Sequence, residues 1–183
     1  LGHGKSPLVT CYPEIGGVRF PVEARLSLRE NPDGTVSLVP HPLRREPDLK
    51  SYENIEFTDA DRESLKKTGN LGRVAEVLDK NTGELVPSYI SLDRQTNETI
   101  SVPVSALRIP DEVKGVKLDK EQQEALAAGK GVYLEGMTSK SGKRFNATIQ
   151  INADKQGLDF HFGGQRQTQR AEQRNGQTQD DGH

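Results

Sequence analysis

Two stretches of 21 residues decide the fold: RVAEVLDKNTGELVPSYISLD at residues 73–93 and VYLEGMTSKSGKRFNATIQIN at residues 132–152. A constant offset of 59 positions relates them. It matches identical residues at three places, which are Glu76 and Glu135, Gly83 and Gly142, and Ile90 and Ile149. In both stretches alternating apolar residues flank a glycine-containing turn, a pattern typical of two antiparallel strands. The sequence therefore predicts two hairpins that are copies of one unit.

A short polar helix is predicted before each hairpin. Thr58 and Asp119 are its N-caps, because their side-chain oxygens can accept hydrogen bonds from the free NH groups of a first helical turn. Gly69 and Gly129 are expected to end the helices, since glycine adopts the left-handed conformation of a C-terminal cap at no steric cost. Each copy is then a short helix laid over a small antiparallel sheet.

A third strand is expected to complete each sheet. Ile100 and Val102 supply it in the first copy, and residues 158–162 supply it in the second. Alternation along a strand places the apolar residues of 158–162 on the core face and Asp159 and His161 on the other face. We expect His161 to face solvent.

The N-terminal segment also has the pattern of strands. Ala24, Leu26 and Leu28 alternate with polar residues, as in half-buried strands, and Asn31-Pro-Asp-Gly34 supplies the turn that lets a second strand return. Seven of the ten prolines lie at or before Pro47, which argues against helix in this segment.

The predicted fold class is therefore α+β, with a β segment, two degenerate repeats and a polar tail. The tail contains one aliphatic residue, Ala171, and cannot bury enough apolar surface to offset its chain entropy. The predicted divisions are 1–50 for the N-terminal β segment, 51–110 for the first repeat, 111–162 for the second repeat and 163–183 for a disordered tail.

Composition limits what the chain can do. Only 32% of its 183 residues are hydrophobic, so a large single-core enzyme is not expected, and a net charge of −2 offers no general attraction to polyanions. The lone cysteine, Cys11, excludes an internal disulfide and a cysteine-based zinc site. We find no membrane span or signal segment, and we expect a cytoplasmic protein. Because residue 1 is Leu, we expect the chain to belong to a longer protein.

Several segments carry a family resemblance. They are 68–74, 87–92, 108–111, 132–140 and 145–148, with the sequences TGNLGRV, PSYISL, RIPD, VYLEGMTSK and FNAT. Over roughly residues 20–162 the chain resembles a family of uncharacterised repeat domains encoded on conjugative elements of Bacteroidetes. The resemblance implies a protein associated with element transfer, sometimes beside or fused to a DNA topoisomerase. It implies no activity and no site residues.

The candidate site is the turn of the second hairpin. Lys140, Lys143 and Arg144 lie there, and the first hairpin has no such basic excess. Cations at a strand turn can contact phosphates without reading sequence, so these residues predict nucleic-acid binding. Tyr133 or Phe145 can supply a stacking surface beside them, although core packing also explains both aromatics. An ordinary solvated hairpin explains the three cations as well.

Other candidates have less support. Arg44 and Arg45 form a second small basic site, and the four histidines have no metal-ligand or catalytic spacing. An enzyme would need a pocket that gathers acidic or histidine side chains, and we expect none. The side chains considered for it are Glu76, Glu135, Asp93 and His161.

The sequence thus predicts a non-catalytic accessory module of a mobile-element DNA-processing or conjugative-transfer protein. We expect no cofactor, no metal and no membrane partner. The alternative is a protein-protein interaction module that docks a partner or a neighbouring catalytic domain. Both copies could bind, or one could bind while the other supports it. The sequence leaves the oligomeric state and the partner's identity open.

Overall fold

The computed structural model describes residues 4–162. His3, His183 and the tail predicted at 163–183 lie outside these residues. Within them the chain forms two α-helices, one 3-10 turn and fifteen strands, and the strand pairings are antiparallel. The α+β prediction is confirmed in this coarse form, with far more strand than helix. The predicted divisions near residues 50 and 110 stay predictions.

The N-terminal part contains a three-stranded sheet and a small two-stranded ribbon. Its strands are β1 Val9–Cys11, β2 Glu14–Ile15, β3 Val18–Arg19, β4 Val22–Glu30 and β5 Val36–Pro42. The sheet order is β1-β4-β5, and β2 pairs with β3. The predicted turn joins β4 to β5: the Gly34 NH donates to the Asn31 carbonyl at 2.9 Å, and Gly34 has a φ of 82°.

The middle of the chain forms a strand pair, a helix and a three-stranded sheet. These elements are β6 Ser51–Tyr52, β7 Ile55–Glu56, α1 Asp59–Thr68, β8 Asn70–Leu78, β9 Leu85–Asp93 and β10 Glu98–Pro103. The sheet order is β10-β9-β8, so the predicted third strand lies at one edge. The 3-10 turn Val104–Ala106 follows it.

The next segment has the same succession of elements. They are β11 Glu112–Val113, β12 Val116–Lys117, α2 Lys120–Ala127, β13 Val132–Thr138, β14 Arg144–Asn152 and β15 Gly157–His161. The order of the second sheet is β13-β14-β15. No helix within residues 4–162 is long and apolar enough to cross a membrane.

Both helices begin as predicted. Thr58 and Asp119 are the N-caps, and each forms a reciprocal capping box with the residue three positions later. Gly69 is the left-handed C-cap of α1. The C-cap of α2 is Ala128, one position earlier than the predicted Gly129, which follows it with a φ of 85°.

The N-terminal sheet turns its apolar face outward. Leu28 pairs with Leu38, and Val36 lies on the same face. These three side chains are 55%, 61% and 49% exposed. The expectation of a half-buried apolar face holds at Ala24, which is fully buried, and at Leu26, which is half-buried. It is wrong at Leu28.

The polar face of this sheet packs against the rest of the protein instead. Arg25 Nη1 donates to Asp93 Oδ2 at 2.8 Å, and His41 Nδ1 lies 2.8 Å from Glu98 Oε2. Alternation identifies the two faces of a strand, but the neighbouring surface decides which face is covered. Here the neighbour presents carboxylates, and the face with Arg25 and His41 meets them.

An ionic clamp holds the N-terminal segment to both sheets. Lys5 Nζ lies 3.1 Å from Asp93 and 3.0 Å from Asp154, and Arg25 contacts the same two carboxylates at 2.8 and 3.2 Å. Asp93 ends β9, and Asp154 follows β14. Because all four side chains are largely buried, their charges attract one another with little screening by water.

Apolar side chains of the two sheets pack together in one buried cluster. Tyr89 and Val102 of the first sheet belong to the same apolar cluster as Leu126, Met137 and Ile149 of the second segment. The Tyr89 hydroxyl also donates to the Ala127 carbonyl at 2.8 Å. A separate, smaller cluster lies between α1 and the first sheet. The second segment therefore completes its core with residues of the first.

Candidate nucleic-acid interface

The three predicted cations lie together at the turn between β13 and β14. The Ser139 NH donates to the Lys143 carbonyl at 2.8 Å, and the Gly142 NH donates to the Ser139 carbonyl at 2.9 Å. These bonds close the turn and leave Lys140, Lys143 and Arg144 exposed. Among the ion pairs within residues 4–162, none includes these three side chains.

The structure adds a fourth cation that sequence reasoning missed. Lys114 occupies the tight turn between β11 and β12 with a φ of 50°. Its carbonyl accepts a hydrogen bond from the Thr138 NH at 2.9 Å, and Thr138 is the strand partner of Arg144. Lys114 is exposed and therefore extends the positive surface. We call Lys114, Lys140, Lys143 and Arg144 the basic tip.

A sequence signal for Lys114 exists. Val113-Lys-Gly-Val116 has the pattern of a two-residue hairpin turn between apolar residues. That pattern predicts the turn but not its position beside the second hairpin, because the contact with Thr138 depends on how the two hairpins pack.

The corresponding surface of the first segment is electrostatically different. Lys80, in the turn between β8 and β9, pairs with Glu53 Oε2 at 2.7 Å. A hydrogen bond to Glu53 and its charge raise the pKa of Lys80. Glu53 occupies the β6–β7 turn, the place that Lys114 has in the second segment. Asp79 and Glu84 flank Lys80, so these four residues carry a net charge of −2, against +4 for the basic tip.

Arg44 and Arg45 do not join the basic tip. The Arg44 NH donates to the Thr96 carbonyl, and Asn97 Nδ2 donates to the carbonyls of both arginines. These bonds place the two arginines beside the turn between β9 and β10. Tyr133, one of the two predicted stacking residues, is half-buried in β13, and Phe145 is half-buried in β14.

A buried polar layer joins the two sheets. Asn70 Nδ2 donates to Gln150 Oε1 at 3.0 Å and to Asp159 Oδ2 at 3.1 Å, while its own Oδ1 accepts from Ser91 Oγ at 2.8 Å. Asn152 Nδ2 also donates to Asp159. We call these five residues the polar layer. Asp159 is only 6% exposed, so the expectation that its face of β15 is the outer one is wrong.

The environment of Asp159 keeps its carboxyl ionised. Burial acts to raise its pKa, but hydrogen bonds from Lys155, Asn152 and Asn70 together lower the pKa below its ordinary value. The carboxylate is thus an acceptor for amide donors of both sheets. Its role in this geometry is to join them.

A polar cleft of about 420 Å³ lies beside this layer. Asp93 and His161 both line it, contrary to the expectation that no pocket gathers such residues, whereas Glu76 and Glu135 are exposed elsewhere. His161 is half-buried, and its Nε2 lies 3.9 Å from Asp159 Oδ2, beyond hydrogen-bond distance.

The acidic side chains of the cleft already form ion pairs and hydrogen bonds with other residues of the protein. Burial acts to raise the pKa of Asp93, but bonds from Lys5, from the Gln95 NH and from Arg25 lower it. Asp154 is bound by the same two cations. Across residues 4–162 no group of three or more His, Cys, Asp or Glu side chains could hold a metal ion. Cys11 is free and partly exposed.

Two family models match parts of the chain. Residues 1–52 match a family described as "Protein of unknown function (DUF4099)", and residues 110–163 match one described as "Protein of unknown function (DUF3945)". The second match spans β11 to β15 and thus includes the basic tip. Neither the comparison with curated proteins nor the comparison with solved structures found a match.

Proposed function

We propose that this protein is a non-catalytic accessory module of a mobile-element DNA-processing or conjugative-transfer protein, which acts in the cytoplasm and binds nucleic acid through the basic tip. The observation that carries the proposal is the clustering of four exposed cations around one turn, without an ion pair to any carboxylate of residues 4–162. The association with a mobile-element or conjugative-transfer protein is supported by the resemblance to domains encoded on conjugative elements.

The geometry suits contacts with phosphates. Two adjacent hairpin turns present the cations, and lysine and arginine at such positions can bind backbone phosphates of any sequence. The chain as a whole has a net charge of −2, so attraction to a polyanion has to come from a local surface. The basic tip is such a surface.

We further propose that residues 51–110 and 111–162 are divergent copies of one unit. Support comes from the shared succession of strand pair, capped helix and three-stranded sheet, together with the constant offset of 59 between the hairpins. One copy then binds, and the other supports it through the polar layer.

Fluorescence anisotropy of labelled DNA with the full chain tests the nucleic-acid proposal. Affinity should fall steeply between about 50 and 200 mM salt, because phosphate contacts release counterions. Lys143→Ala should reduce the slope of log affinity against log salt by about one, without a change in sequence preference. Binding that does not respond to salt, or that Lys143→Ala leaves unchanged, would contradict the proposal.

A second candidate function is docking of a protein partner on the N-terminal sheet. Ten of the thirteen exposed large hydrophobic residues found within 4–162 lie between Leu8 and Leu43. A concentration of apolar side chains at the surface is typical of an interaction site. Pro40 and Pro42 lack NH donors on the β5 edge, which favours contact with the face over addition of a strand.

Capture experiments with nuclease-treated extract test this second function. A partner retained by the full chain should be lost from a Leu28→Ser, Leu38→Ser variant, at low and high salt alike. The Lys143→Ala variant is the matched control and should retain the partner. Equal retention by all three proteins would contradict docking on this face.

A further inference from the structure

Three phenylalanines form a cluster beside the basic tip. The ring centroid of Phe145 lies 6.2 Å from that of Phe160, in an edge-on arrangement, and 5.9 Å from that of Phe162. Phe145 and Phe160 are half-buried, whereas Phe162 is 71% exposed, the largest value among the exposed large hydrophobic residues of 4–162. We call these three rings the aromatic shelf.

The shelf and the cations are adjacent. Lys143 is the last residue of the turn, directly before β14, and lies two residues from Phe145, whereas Arg144, the first residue of β14, leaves the strand on the face opposite to Phe145. Phe162 directly follows β15, which pairs with β14. One surface thus combines flat apolar rings with at least one neighbouring cation.

The first segment has neither a cluster of aromatic rings nor a group of unpaired cations at these positions. The positions that correspond to the shelf at an offset of 59 are Val86, Ser101 and Pro103, and the corresponding turn pairs Lys80 with Glu53. The aromatic rings and the unpaired cations therefore occur together in one segment and are replaced together in the other. This is what we expect if the two features serve one ligand.

We propose that the aromatic shelf and the basic tip together bind single-stranded DNA, an assignment that rests on the proposed nucleic-acid function. Bases stack on Phe162 and against Phe145, while a neighbouring phosphate contacts Lys143. Stacking needs an unpaired base whose flat face is accessible, which a duplex does not offer along its length. Phenylalanine also makes apolar contact with the methyl group of thymine, which uracil lacks.

Anisotropy with four probes of equal length tests the inference on the full chain. The probes are labelled oligothymidylate, the DNA duplex, an abasic DNA strand and oligouridylate. At about 50 mM salt, oligothymidylate should bind most tightly, and Phe162→Ala should weaken it about five-fold or more, since one stacked base contributes that much. Duplex and abasic strand should respond little to this variant.

Two control variants sharpen the test. Phe162→Tyr keeps a flat ring and should retain the binding of oligothymidylate. Leu85→Ala removes a side chain that is 55% exposed at the first hairpin and should change no affinity, because that hairpin carries no shelf. Retention of binding by Phe162→Ala would overturn the assignment of stacking to the shelf.

The pattern of binding to the four probes shows which part of the proposal fails. If all four bind equally, with the expected salt dependence, then the basic tip binds a polyanion and the single-strand inference is wrong. If oligouridylate binds more tightly than oligothymidylate, the assignment to DNA is wrong. If no probe binds, the proposed nucleic-acid function fails together with this inference.

Discussion

The two hairpins differ in charge far more than in backbone. Both connect nine-residue second strands to a sheet of three, and both turns contain a glycine with positive φ, Gly83 in the first and Gly142 in the second. The first turn neutralises its lysine with Glu53. The second has Lys114 at that place and adds three further cations.

This difference in charge is concentrated at the tips of the two hairpins. A hairpin tip packs against little, so its side chains can change without loss of the core. At the offset of 59 the two segments keep an apolar strand residue, the turn glycine and one exposed glutamate, Glu76 in the first and Glu135 in the second. The charges that differ lie at the turns, as our proposal that one segment supports and the other binds predicts.

Charge reversal should have the largest effect on binding. A Lys143→Glu, Arg144→Glu variant should lose about two orders of magnitude of affinity for oligothymidylate at 50 mM salt, because two attractive contacts become repulsive. Lys80→Glu in the first hairpin is the matched control and should change the affinity little. Anisotropy measures both. An equal loss in the control would show that overall charge, not the second tip, governs binding.

Loss of Asn70 from the polar layer should have the next largest effect, and this effect is on the stability of the fold. Asn70→Ala removes the buried hydrogen bonds that Asn70 makes with Gln150, Asp159 and Ser91, and it should lower the free energy of unfolding by roughly 1–3 kcal/mol. Urea denaturation followed by circular dichroism measures it. Glu135→Ala, at an exposed position, should stay within about 0.5 kcal/mol of the parent chain. A similar small effect of Asn70→Ala would mean that the sheets do not depend on this layer.

A transfer of charge should sharpen the comparison. Glu53→Lys, Asn81→Lys, Glu84→Lys and Leu85→Arg together give the first hairpin the four cations of the second. In a chain whose own basic tip carries the double reversal, this graft should restore salt-dependent binding of duplex DNA. It should not restore the preference for oligothymidylate, because the first segment has no aromatic shelf. Full recovery of that preference would contradict a role for the rings.

The contribution of Asp93 to acid sensitivity should be the smallest effect. Asp93 corresponds to the neutral Asn152 at the offset of 59. The pKa of Asp93 is lower in the folded chain than its unfolded value of about 3.9. Its contribution to stability is therefore present above about pH 4 and lost as the pH falls through the folded-state pKa.

Thermal unfolding between neutral and acidic pH measures this contribution. Asp93→Asn should lower the melting temperature at pH 7, because Lys5 and Arg25 keep Asp154 but lose the charge of Asp93, and it should flatten the fall in acid. Glu84→Gln, at an exposed position of the first hairpin turn, is the control. An unchanged acid profile in Asp93→Asn would show that the clamp does not contribute.

The sequence predicted local structure well. Capping residues, turn residues and alternation depend on neighbours along the chain, so Thr58, Asp119 and the turn Asn31–Gly34 were placed correctly. The three predicted cations also lie together, because they are close in sequence.

The sequence could not predict which strand faces are buried or which turns lie side by side, because these depend on contacts between distant segments. The exposed apolar face at Leu28, the buried face of Asp159 and the proximity of Lys114 to Arg144 depend on which surfaces meet. Alternation carries no information about the partner of a face. Asp159 in particular has the pattern of an outer residue, and its donors Asn70, Asn152 and Lys155 compensate for its burial.

Chemical-shift mapping of the isotope-labelled full chain with oligothymidylate tests the central claim most directly. The account predicts that the backbone amides of residues 138–145, Lys114 and Phe162 shift on titration, while those of residues 79–86 in the first hairpin stay in place. Shifts confined to the first hairpin or to the outer face of β4 and β5, or no shifts at all, would contradict it.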